Sequence, residues 1–275
     1  MGYCSSYEVH NMDERKDKMI TEEYKGVSQY RRPLDFELTG KTFNIALDNG
    51  KDFLLELLTD ETLRFSYENI TELQTYECLK GTDSIYLIHF ERKGQQPRKA
   101  ITLVVDLTTR LVTANFATQG ANQENSRLVE REIIFGAIRN PGKPLPQKRH
   151  EYTQELIGKK IEWFFNPEFS VIHIYHAKDR YRGCFSEAMK KRVKDASKLP
   201  AFIEEPSVYI KISDKVYVFS FIEKNSKGGT MEFMLMDEAR LIASGLFFGI
   251  NPEGKPESYT FSAYGKYVTD TVAEE

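Results

Sequence analysis

Two side chains able to carry a proton, His173 and Tyr175, stand two positions apart in residues 156–176, LIGKKIEWFFNPEFSVIHIYH. Alternate residues of a strand share a face, so both point, with Val171, toward the core that this strand covers. A buried imidazole or phenol needs a hydrogen-bond partner or a ligand, because leaving it unpaired costs about 2–7 kcal/mol. Further on, Tyr217, Phe219, Phe221 and Glu223 alternate on one face. A carboxyl beside aromatic walls is desolvated, which raises its pKa toward the range useful for general acid or base chemistry. His173, Tyr175 and Glu223 are therefore the candidate catalytic groups. Trp163, Phe165, Tyr217, Phe219 and Phe221 are the candidate walls of a ligand site.

Tyr181 and Arg182 add two candidate ligand contacts. An arginine can hold a carboxylate through two parallel hydrogen bonds, although strict alternation turns Tyr181 inward and Arg182 outward. Glu204 and Glu205 precede a strand at Val208 and are further candidate carboxylates. His173 and His176 have the look of a metal pair, but residues three apart on a strand face opposite ways, so no metal site is expected from them.

The elements that hold these residues occur twice. Residues 38–58, LTGKTFNIALDNGKDFLLELL, align without a gap on residues 156–176 at an offset of 118 (156 − 38). Gly40 falls on Gly158, and Phe43, Ile45 and Leu47 fall on Ile161, Trp163 and Phe165. Leu55 and Leu57 fall on His173 and Tyr175. Asp48-Asn49-Gly50 is a hairpin signal. After an insertion of about 13 residues the match resumes at an offset of 131 (216 − 85), with Phe90 on Phe221 and Asp106 on Asp237. Strands are expected at residues 42–47, 53–57, 63–67, from 75, and at 85–92, 101–106 and 111–116. Such spacing argues for antiparallel sandwiches or barrels. Residues 118–149 read as an interruption of the sheet, with a short strand or helix at 127–135 and a Pro-rich linker after it. Lys-rich residues 186–201 read as a solvated helical lid or loop.

Composition excludes several classes. The 275 residues carry a net charge of −3, which gives no basic footprint for nucleic acid. Eighteen Phe and fifteen Tyr favour strands or an aromatic pocket. Three widely spaced Cys without CxxC fit a reducing compartment, the cytoplasm. No apolar run is long enough to span a bilayer, so an integral membrane protein is not expected. MGYCSS matches the myristoylation pattern at Gly2, with Cys4 as a palmitoylation candidate, although a plain polar start explains the same residues. GxGxxG, phosphate-loop and GxSxG motifs are absent, and no cofactor is expected.

These residues resemble the MoaF-like family. In the first half the resemblance rests on Gly40-Lys41-Thr42-Phe43, Asp48-Asn49-Gly50 and Phe135-Gly136. In the second it rests on His150 with Thr153, residues 156–159, Trp163, His173-Ile174-Tyr175, residues 216–224 and Gly245 with Phe248-Gly249. It covers residues 38–265. It implies an all-β chain of two tandem lipocalin-like antiparallel β-barrels. With the composition above, this gives an N-terminal helical or mobile arm over 1–37, barrels over 38–140 and 156–268, and a linker over 141–155. The first hairpin is also similar to phenolic acid decarboxylases, single-barrel lyases without a cofactor, which place a Tyr and an Arg where this chain has Tyr181 and Arg182. Two departures stand out. Gly183 replaces a Trp, implying a remodelled pocket, and Phe221-Ile222-Glu223 replaces Trp-x-Glu.

Three functions follow as expectations. One is a cofactor-independent lyase or isomerase acting on a small aromatic or apolar molecule in the second barrel. Another is a non-catalytic carrier of a small hydrophobic ligand. The third is a scaffold in which one barrel supports the other or a homodimer.

Overall fold

The computed structural model describes residues 29–191, 200–225 and 228–269. The first sheet holds β1 (Thr42–Leu47), β2 (Asp52–Leu57), β3 (Thr62–Tyr67), β4 (Ile70–Thr75), β5 (Glu77–Lys80), β6 (Ile85–Arg92), β7 (Arg98–Asp106), β8 (Leu111–Gln119) and β9 (Val129–Ile138). Their order is β4-β3-β2-β1-β9-β8-β7-β6-β5, all antiparallel neighbours. Only Tyr76 separates β4 from β5, so one stretch of chain forms both edges and joins them into a barrel.

The second sheet holds β10 (Glu151–Tyr152), β11 (Lys160–Asn166), β12 (Phe169–Ala177), β13 (Arg180–Phe185), β14 (Ile203–Ser213), β15 (Val216–Ile222), β16 (Met231–Asp237), β17 (Ile242–Ile250) and β18 (Pro256–Tyr267). It closes fully. β14 pairs β13 through residues 203–206 and β15 through residues 207–213, and β10 adds to its side. The chain is all-β in two tandem, closed or nearly closed antiparallel barrels. The single helix among the described residues, α1 (Glu187–Lys190), is one turn long. The rest of the expected helical lid falls on residues 192–199, outside the described residues, as do the arm and acylation readings on residues 1–28.

The internal repeat is structural to the level of single hydrogen bonds. Gly40 and Gly158 both have positive φ, +80° and +89°, where a Cβ would be strained. Each donates its N–H at 2.7 Å to the neighbouring strand, to Leu57 O and Tyr175 O respectively. Below each turn the same latch recurs. Glu37 accepts from Lys80 Nζ (2.6 Å) and Tyr86 Oη (2.7 Å), and Glu155 accepts from Lys211 Nζ (2.5 Å) and Tyr217 Oη (2.8 Å).

One reading of the sequence needs correction. Residues 118–149 do not interrupt the sheet, because β9 pairs both β8 and β1 and completes the first barrel. Residues 30–32, at the end of the expected arm, are bonded to both barrels. Tyr30 N–H donates to Phe165 O at 3.2 Å, Arg31 pairs with Glu77 at 2.8 Å, and Arg32 donates both to Ser262 Oγ and to Lys80 O. This strap ties the two barrels together.

The barrels also share a core. Ile85, Leu87, Ala100, Val104, Ala117 and Val129 on the outside of the first pack against Ile210, Val218, Met231, Phe233, Leu235, Leu246 and Phe248 of the second. Leu87, Phe233, Leu246 and Phe248 are fully buried there. Deleting a buried Leu side chain costs about 2–5 kcal/mol. Leu87→Ala lies in the first barrel, yet it should lower the urea midpoint reported by the fluorescence of Trp163 in the second. An unchanged midpoint would mean that the barrels unfold independently.

Candidate functional site

β11, β12 and β15 cross the second barrel with Trp163, Phe165, His173, Tyr175, Tyr217, Phe219 and Phe221 directed inward and buried. His173 sits opposite Gly183 of β13 in the pairing register. Its ring is enclosed by Tyr181 and Phe219, both at 5.1 Å, and by Tyr175 (6.1 Å) and Phe221 (6.3 Å). Burial holds its pKa down to about 3, so the imidazole is neutral, and Nδ1 has no hydrogen-bond partner among the described residues.

β16 supplies a group that the sequence reading did not single out. Met231, Phe233 and Leu235 face the first barrel, so Glu232, Met234 and Met236 face inward. Glu232 lies opposite Phe221 across the β15–β16 pair. It is 2% exposed, and Oε1 has no partner among the described residues. Burial, and then the charge of Glu223, push its pKa well above the usual carboxyl range. It therefore holds its proton more tightly than an exposed carboxyl does.

Glu223 follows the inward row of β15, with its N–H on Thr230 O at 2.9 Å. Its Oε2 is buried without a partner among the described residues. Burial first, then the charges of Glu257 and Glu205, raise its pKa to about 7. Glu205 points inward opposite Tyr181, and its Oε2 accepts the Lys224 and Asn225 N–H groups at 2.8 Å each. The Tyr181 phenol stays protonated, through burial and then the nearby Glu232, Glu223 and Glu205. His173, Tyr181, Glu205, Phe221, Glu223 and Glu232 thus form one acidic, aromatic-walled region where β15 ends and β16 begins.

The remaining candidates lie elsewhere or are already bonded. Tyr175 Oη accepts from Trp163 Nε1 at 3.0 Å and donates to Met236 Sδ at 3.4 Å, which fixes both side chains as wall. Phe165 packs on Phe169 and Phe261 at 5.5 and 5.2 Å. Tyr217 points inward, but its hydroxyl sits at the opposite end on Glu155. Phe219 lies at the centre, stacked 5.8 Å from Tyr209. Arg182 faces out, on Glu204 at 2.9 Å and over the Phe202 ring at 4.3 Å. Its side chain is partly exposed on the outer face of the barrel. His176 also faces out, 3.1 Å from Glu204. Beside Gly183, where a remodelled pocket was expected, the Tyr181 ring stands 3.5 Å from the position a Cβ would take. Among the described residues no group of three or more His, Cys, Asp or Glu side chains is placed to hold a metal ion.

The first barrel provides an internal control. At the aligned positions it has Leu55 for His173, Leu63 for Tyr181, Ile101 for Glu232 and Arg92 for Glu223. The first three lie in its apolar core. Arg92 is closed by Glu72, with Nε on Oε2 at 3.0 Å. The corresponding end of the second barrel has no such cation among these aligned residues.

A carboxyl whose folded pKa lies above its ordinary 4.5 binds its proton more tightly when folded. Its stabilising effect is complete below about pH 4.5 and is lost as pH rises through about 7. Glu223→Gln should therefore flatten the stability profile over that window, by up to about 3 kcal/mol at roughly 1.4 kcal/mol per pKa unit. Urea melts of both proteins from pH 4 to 8 measure this, and identical slopes would contradict the burial of Glu223.

The comparisons with known proteins divide the chain in the same way. The MoaF N-terminal domain matches residues 23–120 and the MoaF C-terminal domain matches residues 150–271. The first match ends just after β8, and the second contains all the site residues. Nothing among curated proteins matches the chain. With both domains present in order, the chain belongs to the MoaF family.

Proposed function

We propose that the second barrel receives a small aromatic or apolar molecule at its Glu223 end and acts on it as a cofactor-independent lyase or isomerase. The observation that carries this reading is the presence in one barrel of three buried atoms without a hydrogen-bond partner among the described residues: His173 Nδ1, Glu223 Oε2 and Glu232 Oε1. Each unpaired buried polar atom costs about 1–3 kcal/mol, and a ligand supplies the missing partners. Glu223, with a pKa of about 7, is present in both protonation states at neutral pH and so both accepts and returns a proton. Glu232 keeps its proton and donates a hydrogen bond to a substrate oxygen that gains negative charge. Neutral His173 orients the substrate from the opposite wall.

The ionised form of Glu223 repels an anionic substrate. Arg182, the residue that the likeness to phenolic acid decarboxylases would assign to a substrate carboxylate, faces outward on Glu204. Proton transfer on a neutral molecule suits this end of the barrel better than decarboxylation of an acid held by arginine.

A second reading, a non-catalytic carrier, is favoured by the close ring packing around His173. Native mass spectrometry of freshly purified protein, followed by turnover assays on any molecule that copurifies, separates the two. An enzyme should lose turnover by at least about a hundredfold in Glu223→Gln while binding persists. A carrier should show weaker binding in His173→Leu and no turnover in any form. Absence of ligand binding in the second barrel would reject both readings.

A further inference from the structure

A cleft of about 410 Å³ lies between the barrels, lined by Asn122, Leu128, Val129, Glu130, Arg131, Pro206, Ile222 and Lys224. It is distinct from the barrel interior. Val129, Arg131, Ile133 and Phe135 alternate on the face of β9 turned toward the second barrel, where Val129, Ile133 and Phe135 join the shared core. Ser220 and Ile222 present the outer face of β15, the reverse side of the wall that carries Phe221 and Glu223 inside.

Arg131 is the unexplained group. It is half-buried between the barrels, and no carboxylate among the described residues pairs with it. Desolvation pulls its pKa down to about 10, so it is held as a cation in an environment that disfavours the charge. Its Nη1 donates to Ser220 Oγ, which in turn donates to the Glu232 backbone carbonyl at 2.5 Å. This chain fixes the guanidinium, and its other N–H groups have no hydrogen-bond partner among the described residues. Neighbouring arginines at this interface are bound to protein, among them Arg98 to Glu91 and Gly249 O, and Arg127 to Asn251 O.

We propose that this cleft is a binding site for a small carboxylate with an apolar tail. The Arg131 guanidinium takes the carboxylate through two hydrogen bonds, and Lys224 adds a second cation at the rim. Two cations and the one carboxylate of Glu130 leave a local charge of +1 among the lining residues. A monoanion neutralises that charge, and the apolar lining favours one with a tail over inorganic phosphate. Leu128, Val129, Pro206 and Ile222 receive the tail. Because Ile222 and Lys224 share a strand end with Phe221 and Glu223, an anion seated here lies one backbone away from the acidic interior.

The test is calorimetric titration of the full chain with sodium hexanoate, with hexylamine and inorganic phosphate as controls. Hexanoate should bind and the other two should not. Arg131→Gln should weaken hexanoate at least about tenfold, as expected for loss of a charge-assisted pair. Lys224→Gln changes an exposed side chain and should weaken it about threefold, so the proposal is testable even if Arg131→Gln fails to fold. His173→Leu, which copies the first barrel, should leave hexanoate affinity unchanged. No hexanoate binding to the unaltered protein would overturn the proposal. So would equal affinity in Lys224→Gln, or a loss confined to His173→Leu, which would place the anion inside the barrel.

Discussion

A carboxyl group inside a closed β-barrel has no water to ionise into, and the second barrel is organised around that constraint. An eight-stranded barrel is just wide enough for its inward side chains to fill. Once β14 pairs both β13 and β15, every inward residue is cut off from solvent unless it lies at an end. The imidazole of His173 stays neutral, and burial pushes the Glu232 carboxyl toward its protonated form for the same reason. Glu223, one step past the last inward ring, is the group for which burial and solvent nearly balance.

The first barrel indicates what this fold needs for stability alone. It has the same Gly turn, the same Glu-Lys-Tyr latch and the same strand order. Its inward positions are apolar, and its Arg92 is neutralised by Glu72. The polar groups of the second barrel are thus additions to a scaffold that closes without them. The shared core and the Tyr30–Arg32 strap join the two into one body, which makes the first barrel a support for the second and a wall of the cleft at Arg131.

Much of this was legible in the sequence where one face of a strand is wet. Asp52 and Glu56 mark the outer face of β2, the repeat transferred that register to β12 and placed His173 inside, and alternation along β13 turned Arg182 outside. The offset of 118 residues, anchored by Gly40 and Gly158, carried the register across. Glu232 escaped notice because β16 is buried on both sides, by the barrel interior and by the first barrel. A strand buried on both faces loses the period of two. Its one signal was a lone Glu in the apolar run MEFMLM. β9 was obscured differently: its first half, Val129-Glu130-Arg131-Glu132, is mostly charged and partly exposed, so it shows no apolar alternation, and Arg131 went unnoticed with it. The direction of a carboxylate also depends on its partners: Glu204 and Glu205 are adjacent, yet one holds Arg182 outside and the other caps the loop after β15 inside.

The central claim is that the second barrel holds protonated carboxyl groups in its interior at neutral pH. Infrared difference spectroscopy against Glu232→Gln tests it directly, because a protonated carboxyl absorbs apart from a carboxylate. The account predicts a carboxylic acid band at pH 7 that disappears in Glu232→Gln, with a second component that titrates near pH 7 and is absent from Glu223→Gln. A spectrum at pH 7 with carboxylate absorption alone, unchanged by either substitution, would contradict it.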